Sequence, residues 1–69
     1  MKITLNTPKI VENFGNLSLF AKAYSIKVSI LNYHQRNDKA SHFRKKEVFQ
    51  AFKQMQADGY LTIEYHNDN

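Results

Sequence analysis

The segment "FGNLSLFAKAYSIKVSILNYHQRN", residues 14–37, decides the fold because its apolar residues have helical spacing and it contains no glycine after Gly15. A single helix over 16–35 would place large apolar side chains all around its axis. A break at Ser25 instead gives two short helices with one apolar face each. These faces hold, in the first helix, Leu17, Phe20, Ala21 and Tyr24, and in the second, Ile26, Ile30, Leu31 and His34. The segment therefore predicts two helices joined by a sharp turn, with Ala21 where their axes cross and Lys22 pointing outward.

The composition indicates a small basic domain. The 69 residues include ten Lys and Arg against six Asp and Glu, so the formal net charge is +4, and the sequence pI is near 9.5. Most of the basic residues lie in the middle of the chain, between Lys22 and Lys53. Polyanions are the natural class of partner for such a chain, although solubility alone accounts for an excess of this kind in many small domains.

Several chemistries have little support in the sequence. The chain has no cysteine, which excludes disulfides and Cys-based zinc sites. The histidines His34, His42 and His66 lack the i, i+4 spacing and the carboxylate neighbours of a metal or general-base site, and no Gly-rich phosphate loop is present. We therefore expect no enzymatic activity, no metal and no cofactor.

The hydropathy pattern bears on the cellular compartment. No apolar stretch approaches the roughly 18 residues that are needed to span a bilayer. The N-terminal "MKITLNTPK" lacks the apolar region of a signal peptide. The expectation is a soluble, cytoplasmic protein.

Period-2 alternation predicts a short strand at each end of the chain. The N-terminal strand covers 2–6, and the C-terminal strand runs from Tyr60 to Tyr65. Two such strands can pair within one chain or between two chains, and the alternation is the same in both cases.

Helix signals occupy the remaining sequence. Thr7 followed by Pro8 predicts an N-cap and first turn, and Gly15 predicts the end of that helix. The apolar stripe of this first helix is Ile10, Val11 and Phe14. Asn16 can cap the next helix. Ser41 predicts the cap of a long helix over 42–57 that is closed by Gly59.

The long helix also has an apolar side. Its candidate core positions are Val48, Phe49, Ala51, Phe52 and Met55. Since no linker, repeat or low-complexity segment interrupts the chain, we expect a single domain over 1–69. The predicted fold is mainly α with a small β ribbon, an α+β domain.

The central segment also has a spacing that resembles a known family. In order, the residues are Phe14-Gly15, five residues, Ala21-Lys22-Ala23, two residues, Ile26 and Leu31. This pattern resembles the helix-turn-helix of the Cro repressors of lambdoid phages and of related prophage regulators. Ser25 stands where the family usually has Gly, so it must adopt a positive φ or shift the turn, and His34 stands where related proteins often have Trp or another apolar residue.

The resemblance implies a fold, a function and a partner. It implies a Cro-like helix-turn-helix domain of about four helices with short strands at the N- and C-terminal ends. The implied function is that of a phage-type transcriptional repressor, which binds a double-stranded DNA operator as a homodimer. The C-terminal strand, with its open edge, is the candidate dimer element.

In this geometry residues 26–35 form the recognition helix, whose outer face enters the major groove. The candidate base-reading residues are Lys27, Val28, Ser29, Asn32, Tyr33 and Arg36. Asn suits adenine, Lys and Arg suit guanine, and Val can contact a thymine methyl group. The candidate phosphate contacts are Asn16, Ser18, Lys22, Lys39, Arg44, Lys45 and Lys46. Such contacts fix the register without reading sequence.

Two alternatives remain open at this point. A winged-helix protein would use the basic helix 42–57 as its recognition helix. A small protein-binding module, such as a phage- or plasmid-encoded inhibitor or antitoxin, would use the aromatic surface to hold a host protein instead of DNA.

Overall fold

The computed structural model describes residues 1–37, 43 and 45–64. In this part of the chain a strand is followed by four helices and a second strand, an α+β architecture. The elements are β1 (Lys2–Leu5), α1 (Thr7–Phe14), α2 (Leu17–Ala23), α3 (Val28–Arg36), α4 (Lys46–Ala57) and β2 (Leu61–Glu64). The predicted fold class is confirmed.

The two ends of the chain meet in an antiparallel ribbon. Ile3 of β1 lies opposite Ile63 of β2, and Leu5 lies opposite Leu61. Three of these four side chains are buried and Leu5 is half-buried, because the helices cover this face of the ribbon. The ribbon thus pairs within one chain. Helix α3 packs on β1 and α4 packs on β2.

Helices α1 and α2 both begin at an asparagine. The Oδ1 atom of Asn6 accepts a hydrogen bond from the backbone N–H of Lys9, and Oδ1 of Asn16 accepts one from Leu19 at 2.9 Å. The prediction that Thr7 caps α1 is wrong, since Asn6 has this role and Thr7 is the first helical residue. Gly15 ends α1 as predicted, with φ +92° and its N–H bonded to the carbonyl of Val11.

Helices α3 and α4 begin differently, because neither N-cap side chain makes a capping hydrogen bond. Lys27 is the N-cap of α3 and Lys45 is the N-cap of α4. The recognition helix predicted from 26 therefore starts two residues later, and the long helix predicted from 42 starts at Lys46. Its proposed cap, Ser41, lies outside the described residues.

The core lies where all four helices meet the ribbon. The largest fully buried side chains are Phe20, Phe52, Ile10, Leu31 and Met55. Burial of each such side chain stabilises the fold by about 1.5–3 kcal/mol. Two apolar predictions are wrong, since Val11 is 48% exposed and Phe49 is 42% exposed. Both side chains are attached to sides of their helices that no other described element covers.

Candidate nucleic-acid interface

The turn between α2 and α3 is built around Ser25, whose φ of +63° makes it the only non-glycine residue with positive φ in the described part of the chain. The N–H of Ser25 bonds to the carbonyl of Lys22 at 3.0 Å, and the N–H of Ile26 bonds to that of Ala21 at 3.1 Å. These two bonds form a Schellman motif, which reverses the chain at the end of a helix. The predicted break at Ser25 is therefore present, and Ser25 has the left-handed conformation that glycine usually adopts.

A second Schellman motif, at the end of α4, shows the same geometry with glycine. There the N–H of Gly59 bonds to the carbonyl of Gln56, the N–H of Tyr60 bonds to that of Met55, and the φ of Gly59 is +83°. Because a residue with a side chain is strained in this conformation, the positive φ costs more conformational free energy at Ser25 than at Gly59. The strained turn is the one that sets the direction of α3.

The crossing of α2 and α3 places small and large side chains as the spacing predicted. Ala21 and Leu31 are fully buried, whereas Lys22 is exposed. Ile26 and Ile30 are half-buried against the core. The apolar side of α3 is thus held against α2 and β1, and most side chains on the opposite side of the helix are exposed in the described part of the chain.

The outer face of α3 is polar. At about 100° per residue, four of its residues fall within an arc of about 100° opposite the buried side. These are Ser29, Asn32, Tyr33 and Arg36; Asn32 is half-buried and the other three are exposed. Lys27 is exposed just before the helix. Val28 is half-buried and packs on the core.

The predicted phosphate contacts are spread over two regions. Ser18 and Lys22 are exposed on α2, and Asn16 precedes it with its Oδ1 atom committed to the cap. Lys45 and Lys46 are exposed at the start of α4, separated in sequence from the helix-turn-helix. Lys39 and Arg44 lie outside the described residues.

A polar network fixes the start of the turn to the end of α4. The hydroxyl of Tyr24 donates to Oδ2 of Asp58 at 2.6 Å, and Nε2 of Gln54 donates to the other carboxylate oxygen at 3.0 Å. Nζ of Lys9 donates to the backbone carbonyl of Asp58. Burial and this hydrogen bond to Asp58 raise the pKa of the Tyr24 phenol. No sequence spacing indicated the contact, because Tyr24 and Asp58 are distant in the chain.

A histidine lies on the buried side of α3. The side chain of His34 is 6% exposed and packs against the rings of Phe43 and Phe52, with centroid distances of 4.7 and 5.3 Å. Its Nδ1 atom is buried without a hydrogen-bond partner among the described residues. Burial lowers the pKa of His34. The prediction that His34 shares the apolar face of the second helix is confirmed, but the spacing did not indicate the environment of Nδ1.

The C-terminal strand is shorter than predicted. It covers Leu61–Glu64. Tyr60 precedes it and packs against Phe14 and Phe20, with centroid distances of 5.4 and 5.3 Å, so its ring belongs to the core and is not an exposed stacking platform. Tyr65 lies outside the described residues. One edge of β2 pairs with β1, and no other described strand covers the second edge.

No group of three or more potential metal-ligating side chains lies together in the described part of the chain. None of the described helices is long and apolar enough to cross a membrane. Comparison of the chain with protein-family models, with curated proteins and with solved structures gives no match.

Proposed function

We propose that this chain is a sequence-specific double-stranded DNA-binding protein of the helix-turn-helix class. The observation that carries the proposal is the joint geometry of α2 and α3. The Schellman turn at Ser25 packs the apolar side of α3 against the domain, which leaves its polar side outward. A short helix with a polar outer face, supported by a second helix across a tight turn, suits the width of the major groove.

The outer face of α3 carries the side chains that read base edges. Asn32 matches the bidentate pattern of adenine, and Arg36 and Lys27 match the two acceptors of guanine. Ser29 bonds to either kind of edge. Tyr33, which is 50% exposed, contacts a thymine methyl group or a phosphate. These residues give α3 its sequence preference.

Other basic and polar residues hold the DNA backbone. Lys22 and Ser18 are exposed on α2, which in this arrangement crosses the phosphates beside the groove. The net charge of +4 adds a long-range attraction for the duplex. Phosphate contacts of this kind supply affinity but no sequence preference, so binding falls steeply as salt concentration rises.

The biological role that follows is repression by occupancy, as the resemblance to Cro repressors implies. A homodimer would place two copies of α3 on half-sites one helical turn apart, and the open edge of β2 is its proposed contact. The winged-helix alternative has less support, because β2 pairs with the N-terminal strand and the α4 positions around Phe52 are buried.

The proposal is tested by selecting preferred sequences from a library of random DNA duplexes and then titrating the selected duplex. We expect one sequence class to be enriched. The double change Lys27→Ala and Asn32→Ala is expected to weaken binding to it by at least about tenfold, since one good base contact contributes about 1–3 kcal/mol. Binding to unselected duplex should change much less.

A matched double variant provides the control. Lys2→Ala with Thr4→Ala also removes one charge and one polar side chain, but from the exposed face of β1. It should bind the selected duplex as the parent chain does. Failure to enrich any sequence, or equal losses in both double variants, would favour the protein-binding alternative.

A further inference from the structure

Helix α4 has an exposed stripe of which only Lys46 is among the predicted phosphate contacts. Lys46, Phe49 and Lys53 fall within an arc of about 60° on this helix and span about 10 Å along it. Both lysines are exposed, and the ring of Phe49 is 42% exposed. We call these three residues the α4 stripe. An aromatic ring between two cations is a surface with an apolar centre and a basic margin.

The α4 stripe borders the part of the molecule that carries α3. The ring of Phe49 lies 5.7 Å from that of Phe43, and Phe43 lies 4.7 Å from His34 on α3. His34 in turn contacts the ring of Tyr33 at 5.1 Å, and Tyr33 belongs to the outer face of α3. A continuous series of ring contacts therefore joins the proposed base-reading helix to the stripe.

The charges around the stripe favour an anionic occupant. Among the described residues from Lys22 to Lys53, only Glu47 is acidic, against six basic side chains. These are Lys22, Lys27, Arg36, Lys45, Lys46 and Lys53. The other described acidic residues lie on α1, at the end of α4 and on β2. The α3–α4 half is thus the basic half of the molecule.

We propose that the α4 stripe is a second DNA contact, which holds the sugar–phosphate backbone beside the groove that α3 occupies; this inference rests on the proposed function. The two ammonium groups pair with phosphates, and the ring of Phe49 lies against the apolar C–H surface of a deoxyribose. A nine-residue recognition helix alone covers little DNA, and single DNA-binding modules bury about 600–1,000 Å² of protein surface. A contact from α4 extends the footprint of one chain.

The inference is tested by titrating a labelled duplex of about 20 to 30 base pairs at several salt concentrations between about 50 and 200 mM. Each phosphate contact contributes about 0.9 to the slope of log K against log salt. For each bound chain, Lys46→Gln and Lys53→Gln should each reduce the slope by about that amount, and the double variant by about twice as much. Lys2→Gln, which removes the same charge from β1, should leave the slope unchanged.

The aromatic part of the stripe has its own control. Phe49→Ala should weaken binding on the order of fivefold at every salt concentration while keeping the slope, because it removes an uncharged contact. Val11→Ala removes a similarly exposed apolar side chain from α1 and should have no effect. Thermal unfolding of each variant establishes that the fold is retained.

The possible failures are distinguishable. If the parent chain binds the duplex and responds to Lys27→Ala with Asn32→Ala, but Lys46→Gln and Lys53→Gln keep the parent slope, the second contact is refuted and the proposed function stands. If the parent chain does not bind duplex DNA at all, both are refuted. If Lys2→Gln changed the slope as much as the stripe variants do, the loss of one positive charge anywhere on the molecule would explain the change. That result would also refute the contact.

Discussion

The half of the molecule formed by α1 and α2 differs from the half formed by α3 and α4 in how its helices begin. Asn6 and Asn16 cap the first pair with side-chain hydrogen bonds. Lys27 and Lys45 stand at the same positions of the second pair and make none. A good N-cap contributes about 1 kcal/mol, so the second pair gives up stability that the first pair has. The residues placed there instead are cations.

The aromatic side chains of the two halves differ in the same way. In the α1–α2 half, Phe14, Phe20, Tyr24 and Tyr60 form a cluster in which the Tyr24 hydroxyl bonds to Asp58 and Nζ of Lys9 lies 4.7 Å from the centre of the Tyr60 ring. In the α3–α4 half, Phe43 and Phe52 pack against His34, whose Nδ1 has no hydrogen-bond partner among the described residues. Local rules are broken mainly at functional surfaces. Under the proposed function, the α1–α2 half contributes mainly stability, and the α3–α4 half contributes most of the DNA-binding surface.

The largest expected effect on stability comes from removing the central ring of each aromatic cluster, Phe20 in one half and Phe52 in the other. Phe20→Ala and Phe52→Ala should each lower the free energy of unfolding by about 3–5 kcal/mol. The loss should be greater for Phe20, because its ring contacts three aromatic rings at 5.2–5.3 Å, whereas Phe52 contacts Phe43 and His34. Urea denaturation followed by circular dichroism measures both values.

A chain of 69 residues has a total stability of about 3–10 kcal/mol, so either change can unfold it. Phe20→Leu and Phe52→Leu are the milder variants for that case, and the loss of unfolding free energy should again be greater at Phe20. A larger loss at Phe52 than at Phe20 would contradict the assignment of stability to the α1–α2 half.

The next effect is a loss of stability in mild acid that arises from His34 in the α3–α4 half. Burial lowers the pKa of His34 below its ordinary value of 6.5, so the folded state binds the proton less readily than the unfolded state does. Stability is therefore complete above about pH 6.5 and falls as the pH drops below that value, until the lowered pKa of the folded state is reached. The slope from this one group is at most about 1.4 kcal/mol per pH unit.

His34→Leu isolates the contribution of the imidazole to this pH dependence, because leucine fills the space beside Phe43 and Phe52 with a side chain that does not titrate. The difference in unfolding free energy between the parent and His34→Leu should change with pH below 6.5 and stay constant above it. A difference that is independent of pH between 5 and 8, the range in which histidine titrates, would show that the buried imidazole does not limit stability in acid.

Much of this comparison could be predicted from the sequence, and the residues involved show why. The break at Ser25 followed from apolar spacing on both sides of it, and so did the burial of Ala21 and Leu31. Periodicity reports which side of a helix is apolar, but it does not report whether another element covers that side. Val11 and Phe49 were assigned to the core for this reason, and both are exposed.

Helix starts and long-range polar contacts were less predictable. Asn and Thr are both good N-caps, so the prediction of Thr7 had no basis for excluding its neighbour Asn6, which caps α1 in the structure. The start of α4 at Lys46 has no cap signal at all. The bond between Tyr24 and Asp58 joins residues that only the folded chain brings together.

The smallest expected effect comes from exchanging the residue types at the N-caps of α2 and α3. Asn16→Lys should lower the free energy of unfolding by about 1 kcal/mol, because the N–H of Leu19 loses its acceptor. Lys27→Asn should raise it by up to about 1 kcal/mol, because an Asn side chain can accept from the first turn of α3. Urea denaturation measures both, and the same proteins are then titrated with the selected duplex.

The two variants should separate stability from binding. Lys27→Asn removes a proposed base contact, so the more stable protein should bind its selected DNA more weakly, whereas Asn16→Lys should bind at least as well as the parent while being less stable. This opposite ordering is expected only if Lys27 occupies its position for DNA binding at the expense of helix capping. If Lys27→Asn gained stability and kept full affinity, the missing cap would have no connection with DNA, and the contrast between the two halves would lose its functional meaning.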